Sequence, residues 1–330
     1  MSPTRKFLPF AMRNSTFGCL ALPSEPFVFP QPMPQCAVYP TVPKGDGLLI
    51  SPIGSQDGSL LAFVSNRQDL TATASISNAD RNVELFANKT NQCTSPTATN
   101  VISLQVTSSS GNIFGGYNLA PSVNYSGMRI AFISDRNFSQ NACRNCSNPD
   151  ANFEVFVADV SESNAITLTQ VTSTTAGAST SPAISADGNY VAFLSDARGL
   201  VCEVNCTASG GRLHIYRADL RNLSNTTHIT SFVMSQVTPP SGASNADYDF
   251  PMISSNGATV VYVTNVADVE AGNAGNAYEV RQARYNDPTN CTQLGWPVQW
   301  RKHAQKAPVG MSHDAVVVVF TSPDAKAIIS

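Results

Sequence analysis

Four histidines, His214, His228, His303 and His313, are the first candidates for chemistry in this 330-residue chain. No two stand four residues apart, so no H-x3-H metal pair exists. No Gly-x-Ser-x-Gly elbow presents a hydrolase nucleophile. A looser set combines carboxylates, aromatic rings and cations: Asp46, Tyr117, Asp247, Tyr248, Asp249, Trp296, Trp300 and Arg301. Lys44, Asn118 and His303 stand beside them in the sequence. Gathered round one concave mouth, such groups suit a protein, carbohydrate or small polar ligand. Asp46, Asp247 and Asp249 could instead imitate the carboxylates of a glycan hydrolase, although no spacing marks a catalytic pair. No cofactor is implied. Asn78, Asp80 and Asn82, or Asn273 and Asn276, could offer oxygens to Ca²⁺, but neither loop follows a calcium pattern.

Whether these residues meet depends on the elements that carry them. One phrase is written five times, at Ser51–Ser65, Pro121–Ser134, Ser181–Ser195, Pro251–Thr264 and Pro308–Thr321. Its centre is a turn pair: Asp57-Gly58, Ser126-Gly127, Asp187-Gly188, Asn256-Gly257 and a worn Asp314-Ala315. Such pairs supply the positive φ of a tight hairpin, here read as a two-residue turn. The strand after each turn is apolar, with Phe63, Phe132, Phe193, Tyr262 and Phe320 in register. Two further segments recur. Val83–Phe86, Phe153–Phe156, Leu213–Tyr216 and Tyr278–Arg281 alternate like half-buried strands, which puts His214 on a sheet surface. Gln105–Thr107, Gln170–Thr172, Gln236–Thr238 and the fainter Gln293-Leu294 follow them. Each unit is therefore an antiparallel meander of four strands, A to D.

Four-stranded units repeated round an axis make a β-propeller, an all-β fold. The A–B and C–D turns lie on one face, and the B–C and D–A connections on the other. The D–A segments carry the candidate residues above. The fifth copy stops after strands A and B. Pro26–Phe29 and Ala37–Thr41 resemble strands C and D and would complete that blade. The expectation is a tail over 1–24 and one five-bladed propeller over 25–330. Its repeats start near 51, 121, 181, 251 and 308, and 25–50 close the ring. The rival is a fragment of a longer propeller, since Pro30 to Pro34 suits only an edge strand.

The phrase Ser181–Asp196, followed by Leu213–Leu220, resembles the WD40-like PD40 repeat of TolB-type propellers. Phe132–Arg136 is similar to that family's strand B ending. The resemblance implies a periplasmic or secreted propeller that binds partners. Similar repeats occur in secreted bacterial proteins and in the propeller domains of serine peptidases. The chain departs from TolB in its long, Cys-bearing B–C loops and in showing no separate N-terminal domain.

Composition narrows the partners. Only 13% of residues are charged and the net charge is −3, so no basic stripe addresses nucleic acid. Every apolar run is too short to span a membrane. Eight cysteines are compatible with a disulfide framework. Cys143 with Cys146, and Cys202 with Cys206, fall in equivalent B–C loops and read as local staples. One zinc held by all four thiolates is the alternative. The pairing of Cys19, Cys36, Cys93 and Cys291 is open. Arg5-Lys6 and the apolar residues after them begin like a signal peptide, but Arg13-Asn14 interrupts it. Nine Asn-x-Ser/Thr sequons, among them Asn88 and Asn124, matter only in a eukaryotic secretory route. The functional expectation is an exported binding or scaffold module without catalysis, at the cell surface, in the periplasm or secreted. Its alternatives are a secreted glycan hydrolase and a subunit of a larger surface assembly. Oligomeric state cannot be read from these residues.

Overall fold

A computed structural model describes residues 6–11, 17–22, 35–36, 49–68, 70, 78–89, 102–110, 116–139, 143–197, 200, 213–224, 233–237, 248–265, 278–284, 302–304, 310–311 and 318–319. The described chain is all-β apart from one 3-10 turn at Arg221–Ser224. Strands β1 (Lys6–Ala11), β2 (Phe17–Leu22) and β3 (Gln35–Cys36) pair in that order as an antiparallel sheet. Next come β4 (Leu49–Gly54), β5 (Leu60–Ser65), β6 (Glu84–Lys89) and β7 (Ile102–Gln105), a four-stranded meander. The next sheet holds β8 (Asn118–Val123), β9 (Arg129–Ser134), β10 (Cys143–Arg144), β11 (Glu154–Val160) and β12 (Ile166–Gln170). Its order is β10-β12-β11-β9-β8, with β10 added parallel to β12 as a fifth strand.

Two more meanders follow. One is β13 (Ser179–Ile184), β14 (Tyr190–Ser195), β15 (His214–Asp219) and β16 (Val233–Gln236). The other is β17 (Tyr248–Ile253), β18 (Thr259–Thr264), β19 (Tyr278–Arg284) and β20 (Lys302–Ala304). The strand that pairs with β19 is Lys302–Ala304, with His303 opposite Glu279, and Gln293-Leu294 lie outside the described residues. The fifth copy contributes the pair β21 (Gly310–Met311) and β22 (Val318–Val319). The segments assigned to ring closure, 26–29 and 37–41, lie outside the described residues. The chain divides into two compact units: Met1–Arg136 with Ala158–Thr167, and Asn137–Val157 with Leu168–Ser330.

The hairpins explain the recurring phrase. Ser55 N–H donates to the Leu60 carbonyl at 2.8 Å and Gly58 N–H to the Ser55 carbonyl at 3.0 Å. Four residues thus separate the closing pair, rather than two. Only the glycines take left-handed φ: Gly58 74°, Gly127 69°, Gly188 74° and Gly257 71°. This is a type I turn with a left-handed glycine. The acid at the turn binds its own loop. Asp57 Oδ1 accepts from the Ser55 hydroxyl (2.7 Å) and from Ser59 N–H (2.9 Å). Ser55 Oγ in turn accepts from Leu60 N–H (2.9 Å). Ser185 and Asp187, and Ser254 and Asn256, repeat the pattern. Asn124 plays the serine's part in the second copy, accepting from Arg129 N–H at 2.9 Å. Asn124 and Asn88 are both buried, so neither sequon is open in the folded chain.

Strands β5, β14 and β18 are buried at every residue. Burial on both faces accounts for their continuous apolar runs. The C strands β6, β11 and β15 are also buried on both faces, which corrects the half-buried expectation: none of the three shows an exposed residue. In the first unit Leu61, Phe63 and Phe86 form a core cluster with Leu70 packed on it. The Phe63 and Phe86 rings stack at 5.8 Å. In the second unit Tyr190, Leu194, Ile215, Tyr248, Ile253, Val260 and Tyr262 belong to one cluster.

Each A strand is bulged at the residue before its proline. Ser51, Ala120, Ser181 and Phe250 take φ of 52°, 51°, 51° and 50°. The register slips at the same place in all four. Bulges tolerate proline, whose missing N–H would break a regular ladder. The left-handed residue before it carries a steric cost that glycine would not. Ala120→Gly is therefore expected to raise the unfolding free energy by about 0.5–1 kcal/mol, net of glycine's greater freedom when unfolded. Urea titration of the two proteins checks this.

Candidate functional site

The described polar groups concentrate where strand C begins and strand D ends. Glu84 opens β6, opposite Ser65, and is fully buried. Its Oε1 accepts from Ser109 N–H and the Ser109 hydroxyl, each at 2.7 Å. Its Oε2 accepts from the Thr107 hydroxyl and from Asn118 Nδ2, the latter at 3.0 Å. Thr107 Oγ1 also accepts from Leu85 N–H at 2.9 Å, tying the D strand back to the C strand. Asn82 Nδ2 reaches the Ser109 carbonyl at 2.7 Å. Burial pushes the Glu84 carboxyl above its ordinary value, and hydrogen bonds from Thr107, Ser109 and Asn82 oppose that shift.

The second unit repeats the device. Glu154 Oε1 accepts from Thr174 N–H and from the Thr174 hydroxyl, both at 2.6 Å. Thr172 Oγ1 accepts from Val155 N–H at 2.8 Å, and Asn152 Nδ2 reaches the Thr174 carbonyl at 3.0 Å. Burial again raises the carboxyl, with the Thr172 and Thr174 hydrogen bonds opposing. Raised carboxyls can mark acid–base centres. Here the donors come from the protein's own loop and strand, so the geometry holds backbone in place.

The sequence signal for this latch is Glu on strand C with Thr-x-Ser/Thr after strand D. It recurs at Glu84 with Thr107 and Ser109, and at Glu154 with Thr172 and Thr174. The third copy changes both halves, to His214 and Thr238-Pro239-Pro240. His214 is 3% exposed, which corrects its placement on a sheet surface. It stands opposite Ser195, with its ring 5.7 Å from that of Tyr248.

The candidate ligand residues are distributed as follows. Tyr117, in the first unit, is 37% exposed, and its N–H donates to Asp135 Oδ1 at 2.7 Å. Tyr248, in the second unit, is 2% exposed. Its ring lies 6.1 Å from Tyr262, its buried hydroxyl has no hydrogen-bond partner among the described residues, and burial pushes it up to about 12. Asp249 is partly buried, with Oδ1 accepting from Phe250 N–H at 2.8 Å. Asn118 is buried in the Glu84 latch. Asp46, Asp247, Trp296, Trp300 and Arg301 lie outside the described residues, as do Cys202 and Cys206. The Cys143 and Cys146 sulfurs are brought together, with Cα atoms 5.7 Å apart.

Asp135 and Asp196 serve the backbone, the latter accepting from Ala178 N–H at 2.6 Å. Asn78 and Asn82 likewise hold their own loop, with Asn78 Nδ2 on the Asn82 carbonyl at 2.8 Å. Among the described residues no three His, Cys, Asp or Glu side chains cluster to hold a metal. None of their helices is long and apolar enough to cross a membrane.

No protein-family model and no curated protein matches this chain. Solved structures similar to it include a puromycin-hydrolyzing peptidase from Mycobacterium tuberculosis. It is 13% identical with a TM-score of 0.47, covering 98% of this chain and 43% of that one. A periplasmic gluconolactonase from Pseudomonas aeruginosa is 11% identical with a TM-score of 0.41, covering 98% and 81%. The β-propeller domain of the trilobed protease from Pyrococcus furiosus is 11% identical with a TM-score of 0.36, covering 76% and 57%. The chain spans less than half the length of the first of these. Peptidases recur in this set, including prolyl and acylaminoacyl peptidases. The expectation of a non-catalytic binding or scaffold module, with a glycan hydrolase or assembly subunit as alternatives, is corrected accordingly. Similarities this low transfer no activity.

Proposed function

We propose that this chain is a β-propeller of the peptide-processing kind, related in role to the propellers of serine peptidases that its repeats resemble. The supporting observation is the place of the A strands. β4, β8, β13 and β17 are each the terminal strand of their sheet, the position at which an extended peptide can add as a further strand, and the N–H groups of Asn118 and Ser179 already bond the Val83 and Phe153 carbonyls there. An extended peptide offers the complementary N–H and C=O groups. A glycan does not. The aromatic and acidic residues Asp247, Asp249, Trp296 and Trp300 would select side chains as such a peptide enters. The same proposal includes five blades, closure by residues 26–41, TolB/PD40 kinship, export, and covalent pairing of Cys143 with Cys146.

The test is a titration of the full chain with a labelled unstructured peptide, a quenched peptide substrate and a soluble polysaccharide. Saturable peptide binding is expected, with no response to the polysaccharide. Replacing Asp247 and Asp249 together by asparagine should weaken peptide binding by about tenfold, the scale of lost charge-assisted hydrogen bonds. A chain that saturates with polysaccharide, or with neither, overturns the reading.

A further inference from the structure

The first unit contains a cleft of about 320 Å³ lined by Asp57, Leu60, Lys89, Met128 and Glu162 among others. It lies at the turn end of the sheets, among the A–B hairpins, and not among the D–A segments. Lys89, the last residue of β6, is 6% exposed. Its ammonium donates to the Ser161 carbonyl at 2.6 Å. No carboxylate pairs with it among the described residues. An ammonium on a buried side chain, with one neutral protein acceptor for three donors, is completed by water in the cleft or, more strongly, by an anion.

The equivalent positions in the next two copies show what completion looks like. There the residue five after the opening Glu154 or His214 of strand C is Asp159 or Asp219. Asp159 pairs with Arg129 at 2.6 Å, and Asp219 with Arg221 at 2.5 Å. Leu60 faces Lys89 across the ladder as Tyr190 faces Asp219, so the positions correspond. The fourth copy places Arg284 there, opposite Thr259, but it is exposed; Lys89 is the buried cation of the set, and it opens onto a cleft.

We infer that this cleft binds a small zwitterion of the amino-acid class, with its carboxylate on Lys89. The rim decides the rest of the chemistry. Asp57 and Glu162 disfavour a dianion such as phosphate and favour a ligand that also carries an ammonium. Glu162 is exposed at that rim. Leu60 is buried, and the Met128 side chain is 43% exposed, so the two offer an apolar wall to a side chain. The volume admits one amino acid. The inference does not rest on the peptide-processing reading.

The experiment is a titration of the full ¹⁵N-labelled chain with L-leucine, L-leucinamide and 4-methylpentanoate, followed at the Ser126, Gly127 and Met128 amides. L-leucine is expected to shift these signals saturably, 4-methylpentanoate more weakly, and L-leucinamide not at all. Lys89→Met should weaken L-leucine binding by about tenfold or more, and Lys89→Arg should retain part of it. Glu162→Gln, an exposed change that spares the fold, should weaken L-leucine but not 4-methylpentanoate. Asp247→Asn with Asp249→Asn should leave L-leucine binding intact, which separates this site from the peptide mouth. Absence of shifts with L-leucine, or equal shifts with L-leucinamide, overturns the inference.

Discussion

Gly257→Ala is expected to lower the unfolding free energy by roughly 2–4 kcal/mol, combining backbone strain with overpacking. Gly257 holds a φ of 71°, a region that costs a side-chain-bearing residue. The added Cβ would also lie 2.1 Å from Tyr190 Cδ2 and 2.9 Å from Tyr190 Cβ. Tyr190 cannot swing aside cheaply. It is 2% exposed, and the Arg217 and Arg221 guanidinium groups lie over its ring at 4.8 Å and 5.4 Å. Arg217 also donates to the Gly257 carbonyl at 2.8 Å, so displacing this turn loosens a buried cation. A double-mutant cycle with Tyr190→Ala separates the two causes. Truncating Tyr190 should remove the overpacking share and leave a residual of about 1 kcal/mol from φ alone. Urea denaturation of the four proteins measures it. Additive losses would mean that the ring and the glycine do not meet.

That contact also marks the limit of what the residues reveal. The turn glycines were legible because Asp-Gly and Asn-Gly have one local use. Their second role, letting a neighbouring hairpin approach, depends on a contact 67 residues away between Tyr190 and Gly257, which no local signal carries. The B strands were legible as apolar runs. The C strands were misread because Glu84, Glu154 and His214 alternate with apolar residues, and alternation ordinarily means one wet face. In this chain the polar face is buried too, and hydroxyls from beyond strand D replace water. The strand paired with β19 went unread because the fourth copy's Gln-Val-Thr signal had decayed, leaving only pairing to locate Lys302–Ala304. The left-handed residues before Pro52, Pro121, Pro182 and Pro251 oppose the usual preference at such positions, so only the bulge explains them. Lys89 was invisible for a simpler reason. One lysine at a strand end is ordinary until its buried surroundings are known. Of the candidate mouth, Tyr117 is exposed, Asp249 accepts from backbone and Tyr248 is core, which is what residue type alone cannot distinguish.

The Glu84 latch should have an effect comparable to the glycine's and a pH signature that the glycine lacks. Glu84→Ala removes the acceptor of four donor groups, Ser109 N–H, the Ser109 and Thr107 hydroxyls and Asn118 Nδ2, of which only the last keeps another acceptor, the Val83 carbonyl. Unmet buried donors and the cavity together predict a loss of about 3 kcal/mol. Glu84→Gln keeps the volume and one acceptor oxygen, and should lose about half as much. The pH dependence follows from burial, which raises both Glu84 and Glu154 above the ordinary carboxylate value. A raised folded pKa means the native state holds protons that the unfolded chain has released. The stability these groups contribute is therefore complete below the unfolded carboxylate pKa. It is lost as pH rises through their folded values, so the window opens just above the ordinary value and extends upward. Chemical denaturation across mildly acidic to neutral pH should show a negative slope from these two groups. Replacing both by glutamine should flatten it, while Ala120→Gly, which touches neither, should leave it unchanged. A slope that survives the double replacement would assign the proton uptake elsewhere and leave the latch a purely structural pair of hydrogen-bond hubs.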